Sequence, residues 1–367
     1  MGVIVLIIVL AVLILSHEFG HFIVAKKSGI RVDEFGIGFP PRIWGKKIGE
    51  TIYSINWLPF GGFVRIFGEN NEEVATDEER KRSFVSKPKL IQAAVIAAGI
   101  IFNLILAWIL FSFVLTLGMP ASSSFVPVEK LHSLELMVAG VTPNSPAEKA
   151  GLLRGDRIAY LETGETKVHE PTPEALKDFI SAHSDEEITF GYKRDNNEVA
   201  EARARPEIGV STDGPVVSIS MDMVGVYQTS IIRAPLEGLV FTSRLTVETV
   251  KGYATVISQL FKGEGREVLH AVSGPVGIWQ LVKEALESGG VVSILFLTAI
   301  ISISLAVINL IPFPALDGGR LLFLIIEAIK RSPIKPKVTM IINSIGFILL
   351  IILLLVVTAS DILKLIS

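Results

Sequence analysis

The chain contains no cysteine. Structural disulfides, Cys-ligated zinc and thiol nucleophiles are therefore excluded, and any metal site must be built from His, Asp and Glu. Charge is also scarce. Asp, Glu, Lys and Arg make up 19% of the 367 residues against 50% hydrophobic, and the mean hydropathy is +0.55. Such a composition excludes an ordinary soluble domain. A net charge of −3 supplies no basic surface, so no nucleic-acid partner is expected.

What is present is an alternation of long apolar runs with charged blocks. Runs at 3–25, 90–117, 291–316 and 338–358 each reach the ~20 residues needed to cross a bilayer. The first lacks the basic n-region and small-residue cleavage site of a signal peptide. Lys and Arg concentrate between the first two runs (Lys26, Lys27, Arg42, Lys46 and Lys47 among them) and between the last two (Lys330, Arg331, Lys335, Lys337). The positive-inside rule then makes both of those loops cytoplasmic, with both termini and the long middle segment outside. In that topology the first and third runs both travel inward. The polar groups near their inner ends, His17, Glu18, His21 and Asp317, share a depth.

His17-Glu18-Phe19-Gly20-His21 is a HExxH motif within an apolar helix. Residues four apart share a helix face, so two neutral imidazoles project together, a donor pair suited to zinc. Glu18 lies one step around the helix, placed to take a proton from water without ligating metal. Two His and one Glu inside a span are costly unless paired or coordinated. A catalytic zinc takes three protein ligands and keeps one position open. The segment Asn309-Leu310-Ile311-Pro312-Phe313-Pro314-Ala315-Leu316-Asp317-Gly318-Gly319 offers the third. Its prolines break the helix, and broken backbone at membrane depth is tolerated only against protein or a watery cavity.

HExxH together with NxxPxPxLDGG resembles the site-2 proteases, intramembrane zinc metalloproteases, of the bacterial PDZ-containing type that acts in regulated intramembrane proteolysis. Gly61-Gly62-Phe63-Val64 is similar to that family's membrane-associated β-loop, Gly99 and Asn103 to its GxxxN pattern, and Ser273-Gly274-Pro275-Val276-Gly277-Ile278 to its SGPVGI segment. The resemblance implies that His17, His21 and Asp317 hold one Zn2+ and that Glu18 activates water. It places Asn309 and Asn103 near the substrate, with Gly61, Gly62 and Phe63 as substrate-binding positions. The implied substrate is a single-span membrane protein such as an anti-sigma factor. The implied setting is stress signalling at the bacterial cytoplasmic membrane.

From about 137 to 206 the composition turns soluble-like. Val141-Thr142-Pro143-Asn144-Ser145-Pro146-Ala147, followed by Ala150-Gly151-Leu152 and Gly155-Asp156-Arg157-Ile158, resembles PDZ domains of bacterial proteases. A peptide or substrate tail is a candidate ligand there, with Leu136–Gly140 as the carboxylate-binding loop. A size filter or a lid without ligand is the alternative. The stretch 234–263, apolar but carrying Arg244, Glu248 and Lys251, reads as an amphipathic helix on the outer surface or against the PDZ-like domain. The runs 51–55 and 63–67 read as a β-hairpin around Leu58–Gly62, and 69–82 as a solvated linker.

The expected architecture is a four-span α-helical polytopic membrane protein with a cytoplasmic-side β-hairpin and one extracytoplasmic PDZ-like α+β domain. Its parts are 1–118 (spans one and two), 125–222 (PDZ-like), 223–290 (amphipathic linker helices) and 291–367 (spans three and four). Two other readings are a different membrane zincin, which needs a downstream Glu as ligand, and a PDZ-bearing membrane scaffold. A scaffold has no use for four ionisable groups in lipid.

Overall fold

Uninterrupted Leu, Ile and Val with few breakers build four long helices in the computed structural model, which describes residues 2–69, 76–164, 166–194, 198–208, 215–263 and 272–366. They are α1 (Gly2–Lys27), α3 (Lys89–Leu117), the second part of α7 (Pro275–Leu310) and α9 (Pro336–Ile366). Each is long and apolar enough to cross a membrane. The chain divides into two units, 1–114 with 232–367, and 115–231.

In the first unit helices meet through small residues and hydroxyls, as apolar surroundings require. Ser16 Oγ donates to the Phe102 carbonyl at 3.1 Å, and Ser302 Oγ to the Asn103 carbonyl at 2.7 Å. These bonds tie α1 and α7 to α3. Helix α7 bends at Gly290 (φ 57°). Its amino-terminal turn is capped from another helix: Asp361 of α9 accepts from Gly274 N and Gly277 N, both at 2.8 Å. A carboxylate suits that end because the first-turn N–H groups have no partner within the helix. This is where the Ser273–Ile278 segment sits.

The helix of the third apolar run ends before 316, as its prolines imply. Helix α7 stops at Leu310, and Asp317 opens a separate helix, α8 (Asp317–Lys330), because Pro312 and Pro314 cannot support the ladder. The segment Ala234–Phe261 is helix α6, amphipathic as expected, and it packs on α3 and α7. Trp108 donates to the Pro235 carbonyl at 2.7 Å, and the Phe111 ring lies 5.0 Å from Phe241. Its buried stripe Ala234, Gly238, Thr242 explains how: one face seats against α3 while Arg244, Glu248 and Lys251 face outward.

The sheet differs from the expected hairpin. Strand β1 (Val32–Ile48) and β2 (Thr51–Ile66) form the hairpin, joined at Gly49-Glu50. The runs 51–55 and 63–67 lie in the same strand β2 and do not pair with each other. Both pair with the start of β1: Gly36 faces Phe63 on one side and Ser54 on the other. The result is a curled, mixed sheet in the order 42–48, 51–56, 32–37, 62–66, its outer pairs antiparallel and 51–56 running parallel to 32–37, with 62–66 at its edge. Residues 32–48 were missed as strand because Gly36, Gly38 and the Pro40-Pro41 pair mask the alternation. Between the sheet and α3, helix α2 (Asp77–Lys81) is capped by Thr76, within the stretch read as linker. Residues 70–75 of that stretch lie outside the described residues.

The second unit is an antiparallel sheet with two short helices, α4 (Pro146–Lys149) and α5 (Pro173–Ala182). Its strands are β3 (Met119–Ser122), β4 (Leu131–Val141), β5 (Arg157–Thr163), β6 (Thr166–His169), β7 (Ile188–Lys193), β8 (Val199–Ala204) and, at the end, β11 (Ile219–Tyr227). They run β3-β11-β4-β5-β7-β8, with β6 beside β5; β9 (Glu207–Ile208) and β10 (Pro215–Val216) form a separate pair. Ser145 caps α4 and Thr172 caps α5, each followed by proline at the first helical position, as such starts favour. Asp156, 1% exposed, accepts from Leu153 N at 2.8 Å and is gripped by Arg194 at 2.6 and 2.7 Å. The unit extends past 125 and 222 because β3 and the end of β11 pair with one another. Leu136–Gly140 is not a loop: it is the body of β4, paired with β11, and Leu136 pairs with β5 as well.

Candidate metal centre

Helix α1 carries His17 and His21 one turn apart, their rings edge-on with centroids 4.7 Å apart. Their Nε2 atoms are 3.1 Å from each other. Asp317, the first residue of α8, reaches both: its Oδ2 lies 3.1 Å from His17 Nε2 and 3.4 Å from His21 Nε2. His21 and Asp317 are buried. Among the described residues these three form the group of His, Asp and Glu side chains able to hold a metal ion.

The fit to zinc can be tested on spacing and on protons. A tetrahedron with metal–ligand bonds of about 2.0–2.1 Å has edges of about 3.3 Å. The observed edges of 3.1, 3.1 and 3.4 Å match it. His21 Nδ1 lies 2.8 Å from the Val95 carbonyl, which can only accept, so Nδ1 carries the proton and Nε2 presents a lone pair. Asp317 Oδ2 is buried without a hydrogen-bond partner. Lone pairs of His21 and Asp317 therefore converge with no hydrogen between them, an arrangement a cation satisfies. The residues fit the metal.

Asn103, 1% exposed, approaches His17 Nδ1 at 3.4 Å through Nδ2, while its Oδ1 is buried without a partner. Rotating that amide by half a turn presents Oδ1 to a protonated Nδ1, the tautomer that frees His17 Nε2 for metal. Gly99, on the same helix, is where the rings come closest: a β-carbon there would stand 2.4 Å from His21 Nε2.

Glu18 is half-buried beside the sheet edge, and a β-carbon on Gly62 would lie 3.4 Å from its Cγ. Gly61 has φ 130°, a conformation glycine permits. The Phe63 ring covers Gly36. The structure thus brings together His17, His21, Asp317, Asn103, Glu18 and Gly62. Asn309 sits one residue before the end of α7, half-buried, and among the described residues no hydrogen bond joins it to the triad. Sequence reasoning missed the Val95 carbonyl, which carries no side-chain signal. It also missed the ion pair between Arg320, one turn after Asp317, and Glu69. An arginine directly behind LDGG was the available clue.

The chain matches the model of peptidase family M50 over residues 5–353. A Clostridium perfringens protein named as a candidate zinc metalloprotease is 34% identical over 350 residues, covering 95% of each chain. The regulator of sigma-W protease RasP of Bacillus subtilis is 29% identical over 442 residues, covering 99% of this chain and 98% of the relative. The zinc metalloprotease RasP of Geobacillus kaustophilus is 30% identical, covering 98% and 97%.

Proposed function

From its membership of peptidase family M50, the site-2 protease family to which this chain belongs, we propose that this zinc metalloprotease cuts single-span membrane proteins within or beside their spans. The Bacillus subtilis relative is named for sigma-W regulation, and the proposed substrate is of that kind, a membrane-anchored anti-sigma factor. The observation that carries the reading is the meeting of three metal-ligand atoms at tetrahedral spacing on apolar helices, with Glu18 and an open strand edge beside them.

His17, His21 and Asp317 are the proposed zinc ligands. Zinc bound there supplies a Lewis acid that makes water nucleophilic near neutral pH. Glu18 accepts the proton from that water and returns it to the leaving amine. Segment 62–66 pairs with 32–37 on one side, and its other side is the proposed docking edge. A substrate helix that unwinds and adds there keeps its backbone hydrogen-bonded while a scissile carbonyl passes Glu18. Gly61, Gly62 and Phe63 shape that edge, and Asn103 and Asn309 are proposed to orient substrate backbone.

In the proposed topology the sheet and the loop between α8 and α9 face the cytoplasm. Both termini and unit 115–231 lie outside the inner membrane. That unit is proposed to be PDZ-like and to receive a substrate tail. The ~320 Å3 cleft at Leu136, Ile158 and Tyr160 is its candidate seat.

The test is cleavage of a single-span model protein by purified wild type, Glu18→Gln and Asp317→Ala, with zinc quantified in each. Wild type should cut and hold one zinc per chain. Glu18→Gln should keep zinc without cutting, and Asp317→Ala should lose both. A zinc-replete wild type that cuts no span in a panel of shortened substrates would refute the protease reading.

A further inference from the structure

The third proposed ligand stands at the end of a segment that has no helical ladder to hold it. Residues 311–316 carry two prolines between α7 and α8. At membrane depth every N–H in such a stretch must find an acceptor in the protein. Phe313 N donates to the Ile311 carbonyl at 2.7 Å, and Leu316 N to the Phe313 carbonyl at 3.1 Å. Ala315 is different. Its φ is 73°, a left-handed conformation that a residue with a β-carbon keeps only where its surroundings impose it. Its N–H donates out of the segment, to Asn343 Oδ1 of α9 at 3.2 Å.

One turn along the same helix, Gly346 is buried under the neighbouring residue. A β-carbon there would lie 2.5 Å from Pro314 Cβ and 2.6 Å from its carbonyl oxygen. Asn343 and Gly346 are three apart and so share a face of α9. That face is a seat: Gly346 lets the Pro314 backbone come down onto the helix, and Asn343 binds the strained residue that follows. Asp317 begins two residues later.

We propose that Asn343 is a positioning residue for Asp317: by holding Ala315 N–H it aims the carboxylate at the two imidazoles and so sets how long metal stays bound. An Asn in an apolar span is an ordinary interhelical hydrogen-bond former. What distinguishes this one is its acceptor role toward a backbone N–H of the ligand-bearing segment. The inference rests on the metal site proposed above.

The experiment follows zinc loss to excess chelator from the purified full chain in detergent, together with the visible spectrum of the cobalt(II)-substituted protein. Asn343→Leu keeps the volume and removes the acceptor. It should release zinc about tenfold faster than wild type, the lower end of losses caused by changes behind metal ligands. Its cobalt bands should shift in position and intensity. Asn343→Asp keeps shape and acceptor, and should stay within about threefold of wild type with an unshifted spectrum. If Asn343→Leu does not fold, Asn343→Ala carries the same expectation. Wild-type release by the acceptor-less variant, or equal loss in the Asp variant, would overturn the positioning role. A wild type without zinc, or an Asp317→Ala variant that keeps it, would instead sink the metal site itself.

Discussion

Gly99→Ala is the sharpest probe of how the two histidines are held. Its β-carbon would stand 2.4 Å from His21 Nε2 and 2.7 Å from both His17 Cε1 and His21 Cε1, where ordinary contact begins at 3.4 Å. The His21 ring must therefore retreat by about 1 Å. It has little freedom to do so, because its other nitrogen is fixed to the Val95 carbonyl, one turn earlier on the same helix as Gly99. Alternatively α1 and α3 separate, at an overpacking cost of about 1–3 kcal/mol. A misplacement of about 1 Å at a reacting centre lowers turnover by about 10²-fold. The assay measures zinc per chain, cleavage of a single-span substrate and thermal unfolding. The expectation is sub-stoichiometric zinc, turnover down by about 10²-fold and a melting temperature lower by a few degrees. Gly252→Ala is the control, since nothing lies within 4 Å of its β-carbon; it should leave zinc and turnover unchanged. A Gly99→Ala protein with full zinc and wild-type cleavage would refute this account of the packing.

Two further outcomes follow from the fold. Asp361→Leu leaves Gly274 N and Gly277 N buried without their acceptor, a loss of about 1–3 kcal/mol for each unsatisfied group; thermal unfolding should register it, and Asp361→Asn should recover part of it. Glu50 is the pH probe. Burial raises its pKa, but hydrogen bonds from Arg82 and Lys26 outweigh that and hold it below its ordinary 4.5. Its contribution to stability is therefore present above pH 4.5 and fades as pH falls through the lower, folded value. Wild type should exceed Glu50→Gln in stability at pH 6, and the two should converge in acid; a constant gap would show that the charge of Glu50 plays no part.

Local chemistry by itself determined a good deal. Long apolar runs dictate membrane-length helices, and His17 and His21 must share a face because four residues make a turn. Ser145-Pro146 and Thr172-Pro173 suit helix starts, a capping side chain followed by proline at the first helical position. The LDGG carboxylate was legible as a ligand only through its pairing with HExxH, since nothing local to Asp317 says what it faces. Tertiary structure decided the rest. Strand 32–48 pairs with partners on both sides despite its glycines and prolines, because register depends on residues far along the chain. Helix α6 lies against α3 and α7 because burial of one face outweighs charges on the other. The proton on His21 is placed by a backbone carbonyl of another helix. Asn343, Gly346 and Asp361 stand out in sequence as breaks in an apolar run. The groups they serve, Ala315 N, the Pro314 backbone and the start of α7, become neighbours only when the helices pack, since at membrane depth each polar group must find its partner within the protein.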